Sequence, residues 1–441
     1  MSESSLRKIH EHAAGIDIGS ERIFVAVEGQ RVKSFTTFTE SYEEVVRYLK
    51  DQKITTVAME ATGVYWIALY EMLEAAGIEV CLVNASYVKH LPGRKSDVVD
   101  CQWMQELHAH GLLRPCFVPE EEIRQLRSYM RLRRDHIELA SQHVQHMHKA
   151  LEQMNIKLHV VLSQVHGPSG IQMLKAIVAG ERDPERLLSL CHTAIQKTKA
   201  KEVRAALRGH YRQEHLFALG QAIEGWEFYQ RQIAACEHEI GRLLTAMGEH
   251  NDLPGQDSAP KPSRHRQPDI DDLHGKLMRI TKGRNPSALT GLTDATLLEA
   301  ISEMGTDLTH WKSAKHFTSW LNLAPPLHRS GKGHGARRRE KPNTRGGQIF
   351  RRAAESIPNS KHVALGGFYR RLKSRHGAMV AMKAVARKLA VNYYNIMTKG
   401  IEYVEQGLET YNRLYITQRQ QYLEREARRL GLNLVPIVAR H

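Results

Sequence analysis

The sequence predicts an α/β domain followed by an all-α remainder, and three observations carry that expectation. Five short runs rich in Val, Ile, Phe and Thr fall within residues 14–83, separated by Gly or charged turns. After Pro119 the apolar residues recur at alternating steps of three and four, the period of a helix. With 441 residues and 41% hydrophobic content, the chain can build two or three cores and is not a disordered polymer.

In chain order, strands are expected at 14–18, 22–28, 32–38, 54–59 and 78–83, and helices at 41–50, 64–76 and 96–110. Three successive strands, then helix, strand, helix, strand and helix, is the element order of a ribonuclease-H-like fold. Beyond it, Ile137, Ala140, Val144, Met147, Leu151 and Met154 form one heptad seam. Leu216, Leu219, Ile223, Trp226, Ile233, Cys236, Ile240, Leu243 and Met247 form a longer one, with Gln230 as its polar member. The two seams are expected to pair as an antiparallel hairpin or across a dimer. Between them, 156–211 reads as short helices around a GPSG turn. The stretch NDLPGQDSAPKPSRHRQPD is rich in Pro, Ser and charge and reads as a linker. The expected division is therefore 1–118 (α/β), 119–250 (coiled coil with a helical insert), 251–269 (linker), 270–400 (helical) and 401–441 (an amphipathic, charged tail).

A net charge of +15 and a pI near 9.5 point to a polyanionic partner, most simply nucleic acid. The five cysteines show neither CxxC nor zinc spacing and fit a reducing cytosol. No apolar signal region and no run of 18 apolar residues is present, so a cytoplasmic protein without a membrane span is expected.

Four acids in the first 100 residues are the candidate catalytic and metal-binding set. Asp17 ends a short apolar strand before a Gly-Ser turn, Glu60 closes the strand ITTVAME, and Asp97 and Asp100 lie three apart on one face of an expected helix. Each has an ordinary alternative as a turn former or a first-turn helix acid. Together they sit on the elements where ribonuclease-H-like folds carry acids. Carboxylates are hard oxygen donors suited to Mg²⁺ or Mn²⁺, and two such ions stabilise the attacking and leaving oxygens of a phosphodiester.

A second candidate is the segment LNLAPPLHRSGKGHGARRREKPNTRGGQIFRR. Arg329, Lys332, Arg337, Arg338, Arg339, Lys341 and Arg345 make it strongly basic, and Gly331, Gly333 and Gly335 let its backbone approach phosphate. It lacks the P-loop order. Ser330 in this setting is either a nucleophile flanked by charge-stabilising cations or an incidental serine of a nucleic-acid-binding loop. Arg124, Arg127, Arg131, Arg133 and Arg134, with Tyr129 among them, form a further candidate nucleic-acid face. The histidines of HAH (108–110) and HVQHMH (143–148) lack acidic or cysteine partners at zinc spacing and are expected at the surface or facing RNA. Within CQWM (101–104) core packing is expected.

The stretches GIDIGSERIFVAV, AMEATGVYWIALYEML and VNASYVKHLPGRKSDVVDCQWMQEL, together with GLTDATLLEAISEMG and LNLAPPLHRSGKGHGARRR, resemble the insertion-sequence transposases of the one-ten family, over roughly 13–155 and 275–400. The resemblance implies a RuvC-like N-terminal domain whose Asp17, Glu60, Asp97 and Asp100 hold Mg²⁺. It also implies a helical transposase domain in which Ser330 forms a covalent 5′-phosphoserine link to DNA. A noncoding bridge (or seeker) RNA as guide, donor and target double-stranded DNA, and a homodimer assembling to a tetramer with composite sites are implied in the same way. Two departures are Cys101, where Ala is usual, and Asn322, where Gly often precedes Leu-Ala-Pro. A RuvC-like junction resolvase using metal-activated water, and a catalytically silent RNA/DNA-binding scaffold, are the alternatives.

Overall fold

A computed structural model describes residues 7–84, 97–249, 267–325, 344–358 and 364–434. The chain divides into two compact units, residues 1–118 and 119–441.

The first unit is built on a five-stranded sheet of order β3-β2-β1-β4-β5. Its strands are β1 (Ala13–Ile18), β2 (Arg22–Val27), β3 (Lys33–Thr36), β4 (Thr56–Glu60) and β5 (Glu79–Val83). β1 pairs antiparallel with β2 through a tight turn, and parallel with β4 through the crossover helix α1 (Thr39–Asp51). β4 pairs parallel with β5 through α2 (Trp66–Ala75). One face of the sheet is apolar except at its β3 edge, where Lys33 pairs with Val25 and places its Nζ over the Tyr48 ring. Ile16, Met59 and Leu82 from the three parallel strands meet Val45 and Leu49 of α1 and Leu69 and Leu73 of α2 in one buried core. The other face is covered by α3 (Asp97–Ala109), which lies across β1, β2 and β4.

That second contact is unusually close, and Gly15 explains it. A Cβ on Gly15 would stand 2.3 Å from the carbonyl oxygen of Cys101 and 2.5 Å from the amide nitrogen of Gln105, both backbone atoms of α3. Only glycine lets the helix rest on the strand itself. Its partners across the sheet, Ala58 and Cys81, continue a row of small residues under the helix. Gln105 Nε2 donates to Ala13 O at 3.3 Å, and His108 Nε2 meets Thr56 Oγ1 at 2.9 Å.

The second unit is helical. α4 (Glu121–Gln153) and α5 (Gln213–Gly248) pack along their lengths. Their contacts run from Arg133–Glu237, through His136 and His143 against Tyr229, to the His143 ring over Gly225, so the pair is an antiparallel hairpin within one chain. The expected Gln230 is exposed, and Tyr229 takes the seam position instead. Stepping three rather than four from Trp226 leaves the strict heptad, whose next position is Gln230, and presents a ring rather than an amide to the partner helix. Leu244 is buried where Leu243 was expected, because it lies three whole heptads beyond Ile223 and so returns to the phase of Leu216 and Ile223.

Residues 156–211 fold into five short helices whose Leu158, Leu174, Ile177, Leu187 and Val203 share a core with Leu151, Leu219 and Ile223 at the far end of the hairpin. The GPSG motif starts a helix rather than making a free turn: Pro168 occupies its first turn, where a missing N–H costs nothing.

From residue 267 the described chain continues with α6 (Leu273–Ile280), α7 (Asp294–Met304), α8 (Ala314–Trp320), α9 (Arg345–Ala354), α10 (Ala364–His376), α11 (Ala378–Lys399) and α12 (Ile401–Arg429). α6 lies against α5 and α7 against α4, so this region and the hairpin belong to one compact unit. Phe317, Phe350 and Tyr393 join α8, α9 and α11 in an aromatic core. Thr293 caps α7 by accepting from the Thr296 amide. Asn322 has φ +56°, the left-handed region, where asparagine is the usual substitute for glycine.

Two outcomes test these contacts. Gly15→Ala is expected to lower the unfolding free energy by about 1–3 kcal/mol through overpacking, measured by urea denaturation. In the hairpin, Glu237→Ala leaves buried Arg133 uncompensated and is expected to cost about 3–5 kcal/mol, whereas the paired replacement Arg133→Met with Glu237→Leu is expected to be near neutral or stabilising.

Candidate functional site

The sheet register brings the first acids together. In the parallel β1–β4 ladder Gly15 faces Ala58 and Ile16 faces Met59, so Asp17 and Glu60 are the next residues along both strands. Side chains alternate along a strand. With Ile16 and Met59 committed to the core, Asp17 and Glu60 share the face of Gly15 and Ala58, the face that α3 covers. They stand at the C-terminal ends of the two strands, where open parallel sheets place their sites. Glu60 is buried, 8% exposed, and its Oε1 accepts a 2.6 Å bond from Thr62 Oγ1. Asp17 is half-buried.

α3 runs antiparallel to β1. Gln105 bonds at Ala13 while Cys101 lies over Gly15, so its first turn reaches the Asp17 end. Asp100 sits there, half-buried. Cys101 reports the convergence: burial, and after it the negative charges of Asp17 and then Asp100, push its thiol up to about 12. Two acids distant in sequence thus act on one buried sulfur, and that thiol stays protonated and inert. α3 begins at Asp97, whose side chain lies outside the described residues. Among the described residues no three His, Cys, Asp or Glu side chains are grouped closely enough to hold a metal ion. The donors present fit a divalent ion in kind: they are carboxylates at the strand ends and on the facing helix, which suit Mg²⁺ or Mn²⁺ and not a soft metal.

Sequence reasoning missed Thr62 and Thr56, and misplaced His108. His108 is 4% exposed, not a surface or RNA-facing group. It bonds Thr56, and His10 stacks on it at 4.8 Å. Burial, and then the neighbouring His10, hold its imidazole down at about 4. The amides of Ile9 and His10 both donate to Ala109 O, strapping the segment before β1 to the end of the same helix. The buried His108 sits on the helix face that also carries Cys101 and Met104, and that spacing was the signal available in the sequence. In CQWM, Cys101 and Met104 are core, as expected, while Trp103 is 38% exposed.

Ser330 lies outside the described residues, as do Arg329, Lys332, Arg337, Arg338, Arg339 and Lys341. The ends of their segment are held together: Thr344 Oγ1 donates to Leu321 O at 3.0 Å and caps α9 through Gly347. A Cβ on Gly347 would meet Leu321 O at 2.2 Å, so this closure too depends on glycine. Arg345, the first residue of α9, is exposed.

The arginines of α4 have intramolecular partners. Arg127 donates to the Ser302 and Glu303 carbonyls at 3.1 and 2.8 Å, and Arg131 grips the Glu303 carboxylate with both Nε and Nη2 at 3.0 and 2.7 Å. Arg133, 8% exposed, pairs with Glu237 at 2.6 Å. Arg124 donates to Pro119 O at 3.1 Å, and Arg134 reaches Glu138 only at 3.8 Å. The expected solvent-facing patch is therefore corrected for Arg127 and Arg133, which are drawn inward because α7 and α5 supply acceptors that a linear sequence does not display. Burial pulls the Arg127 guanidinium down to about 10 against the attraction of Glu303, and it stays charged at neutral pH. Arg345 is lowered by burial and then by Arg131 and Arg134, which places these three cations around one another.

Residues 14–156 match the family model of the DEDD transposase of IS110, described as a transposase, and residues 287–357 match the model described as the IS116/IS110/IS902 transposase family. No curated protein matches the chain. Among the described residues no helix is long and apolar enough to cross a membrane.

The folded His108 stays neutral below its ordinary value of 6.5, so between about 4 and 6.5 the unfolded chain binds the extra proton. Stability from this group is fully present above pH 6.5 and is lost as pH falls through about 4. Urea denaturation across that window is expected to show stability rising with pH, and His108→Gln, which keeps a neutral polar group facing Thr56, is expected to flatten the slope.

Proposed function

Because this chain belongs to the IS110 family of transposases, we propose that it is a recombinase guided by a noncoding bridge RNA, which cuts and rejoins DNA through a serine-linked intermediate. Transposases of this family act on the DNA of a mobile element, and the DEDD domain suggests use of divalent metal. The observation that supports the finer reading is the acid row: Asp17 and Glu60 on adjacent parallel strands, under the helix that carries Asp100 and begins at Asp97.

In this reading Asp17, Glu60, Asp97 and Asp100 hold Mg²⁺ or Mn²⁺. Bound there, the ions would supply Lewis acidity to the scissile phosphate and its leaving oxygen. Thr62 fixes the Glu60 carboxylate by donating to one oxygen, which leaves the other available. Ser330 Oγ attacks phosphorus, the P–O3′ bond breaks, and the 3′ oxygen departs as a hydroxyl. The phosphoserine ester conserves the bond energy, so rejoining needs no nucleotide cofactor. Arg337, Arg338 and Arg339 neutralise nearby phosphate charge. Arg329, Lys332, Lys341 and Arg345, with Arg124, Arg131 and Arg134, contact RNA or DNA backbone without reading sequence, since base pairing to the guide does that. Assembly as a dimer or tetramer sharing composite sites belongs to the same proposal.

A denaturing gel of protein incubated with the element's DNA ends and co-purified RNA tests the chemistry. Wild-type protein is expected to migrate as a covalent DNA adduct. Ser330→Ala is expected to lose adduct and strand exchange by on the order of 10³-fold or more, and Asp17→Asn to lose both while remaining folded by circular dichroism. Normal cutting by Ser330→Ala without an adduct would instead establish a resolvase that uses water, and full activity of Asp17→Asn would leave only a scaffold.

A further inference from the structure

The acid row has an apolar rim. Immediately after Glu60 the chain turns sharply. Thr62 N donates to Glu60 O at 3.0 Å, Tyr65 N donates to Thr62 O at 3.3 Å, and Gly63 between them has φ +54°, a conformation costly to residues with a Cβ. The same Thr62 holds the Glu60 carboxylate through its hydroxyl. One four-residue turn therefore fixes both a candidate metal-binding acid and the ring that follows it. Tyr65 folds back across the turn: its Cε2 and Cδ2 lie 3.6 and 3.7 Å from where a Gly63 Cβ would be. The ring thus lies beside Gly63 of its own turn while the residue remains 47% exposed. Val64 beside it is 70% exposed and Ile67, one step into α2, is 39% exposed.

Three large apolar side chains in four positions, turned to solvent beside a buried carboxylate, are a feature that folding of this unit does not explain. The core of the sheet's other face closes without them. A ring preorganised on a tight turn loses little conformational entropy when a flat partner stacks on it. Aromatic platforms of this kind bind bases without sequence preference, because every base has a π-face.

We infer that Tyr65, backed by Gly63 and flanked by Val64, is a stacking platform for an unpaired base of the DNA strand next to the phosphate held at the acid row. This rests on the proposed function for its location and extends it by assigning a base subsite. It implies that the strand enters locally unpaired, with the base beside the scissile phosphate lifted off its neighbour onto the ring.

The test uses the full-length protein and a single-stranded dT₁₂ oligonucleotide carrying one central 2-aminopurine, whose fluorescence reports stacking, with Ca²⁺ present. Wild-type protein and Tyr65→Phe are expected to quench the probe alike. Tyr65→Ala is expected to lose the quenching and weaken binding by about fivefold or more, the lower end of a lost base stack. Equal quenching by Tyr65→Ala, or none by wild type, overturns the platform. Failure of the functional reading shows separately, as wild-type protein that forms no DNA adduct yet quenches the probe through Tyr65.

Discussion

The closeness of one helix to one strand governs the first unit. α3 rests its backbone on β1 because Gly15 has no side chain, and the small residues Ala58 and Cys81 continue that shallow floor. Moving the helix outward by a methyl group would also move Asp100, because a helix shifts as a rigid rod. The acid row is therefore set by the absence of atoms at residue 15 as much as by the acids themselves. His108, Gln105 and the strap of Ile9 and His10 fix the other end of the same helix, so both its height over the sheet and its slide along it are determined.

The second unit is organised by charge as well as by apolar packing. A heptad seam alone would leave the α4–α5 hairpin free to slip by a turn. The buried Arg133–Glu237 pair defines one register, a use of buried ion pairs better attested than any net stabilisation. Glu303 then collects Arg127 and Arg131, and Glu299 pairs with Arg352 of α9. Through α7 these acids tie α4 to the helix that follows the basic segment. Burial raises the Glu299 carboxyl, and Arg352, Arg133 and Arg134 oppose the shift. Cations that composition assigns wholesale to nucleic acid thus divide into those consumed by the fold and those left over. Arg345 and Arg134 are among the remainder, and with the half-exposed Arg131 they concentrate positive charge where α9 begins.

Local sequence signals fared unevenly for physical reasons. The strands and helices of the first unit fall within a few residues of the expected ranges, because alternation and turn residues are local properties. The seam of the hairpin was legible as a period but not in phase. Choosing Gln230 over Tyr229 is a one-residue error that only the partner helix, with His136 and His143 facing it, resolves. The arginines of α4 were legible as positive charge and not as partners of Glu237 and Glu303, which lie 104 and 172 residues away.

The amino-acid sequence by itself marked Asp17 and Glu60 as the candidate residues of the first unit, since acids at the ends of apolar strands are costly to bury. It also determined the kind of fold, because the periods of apolar residues are written along the chain. Tertiary structure alone decided which face those acids share, how near α3 approaches, that His108 is a buried tie, and that Tyr65 stands over its own turn. Each of these depends on strand register or on contact between residues far apart in the chain, and a one-residue change of register would turn every side chain of a strand to the opposite face.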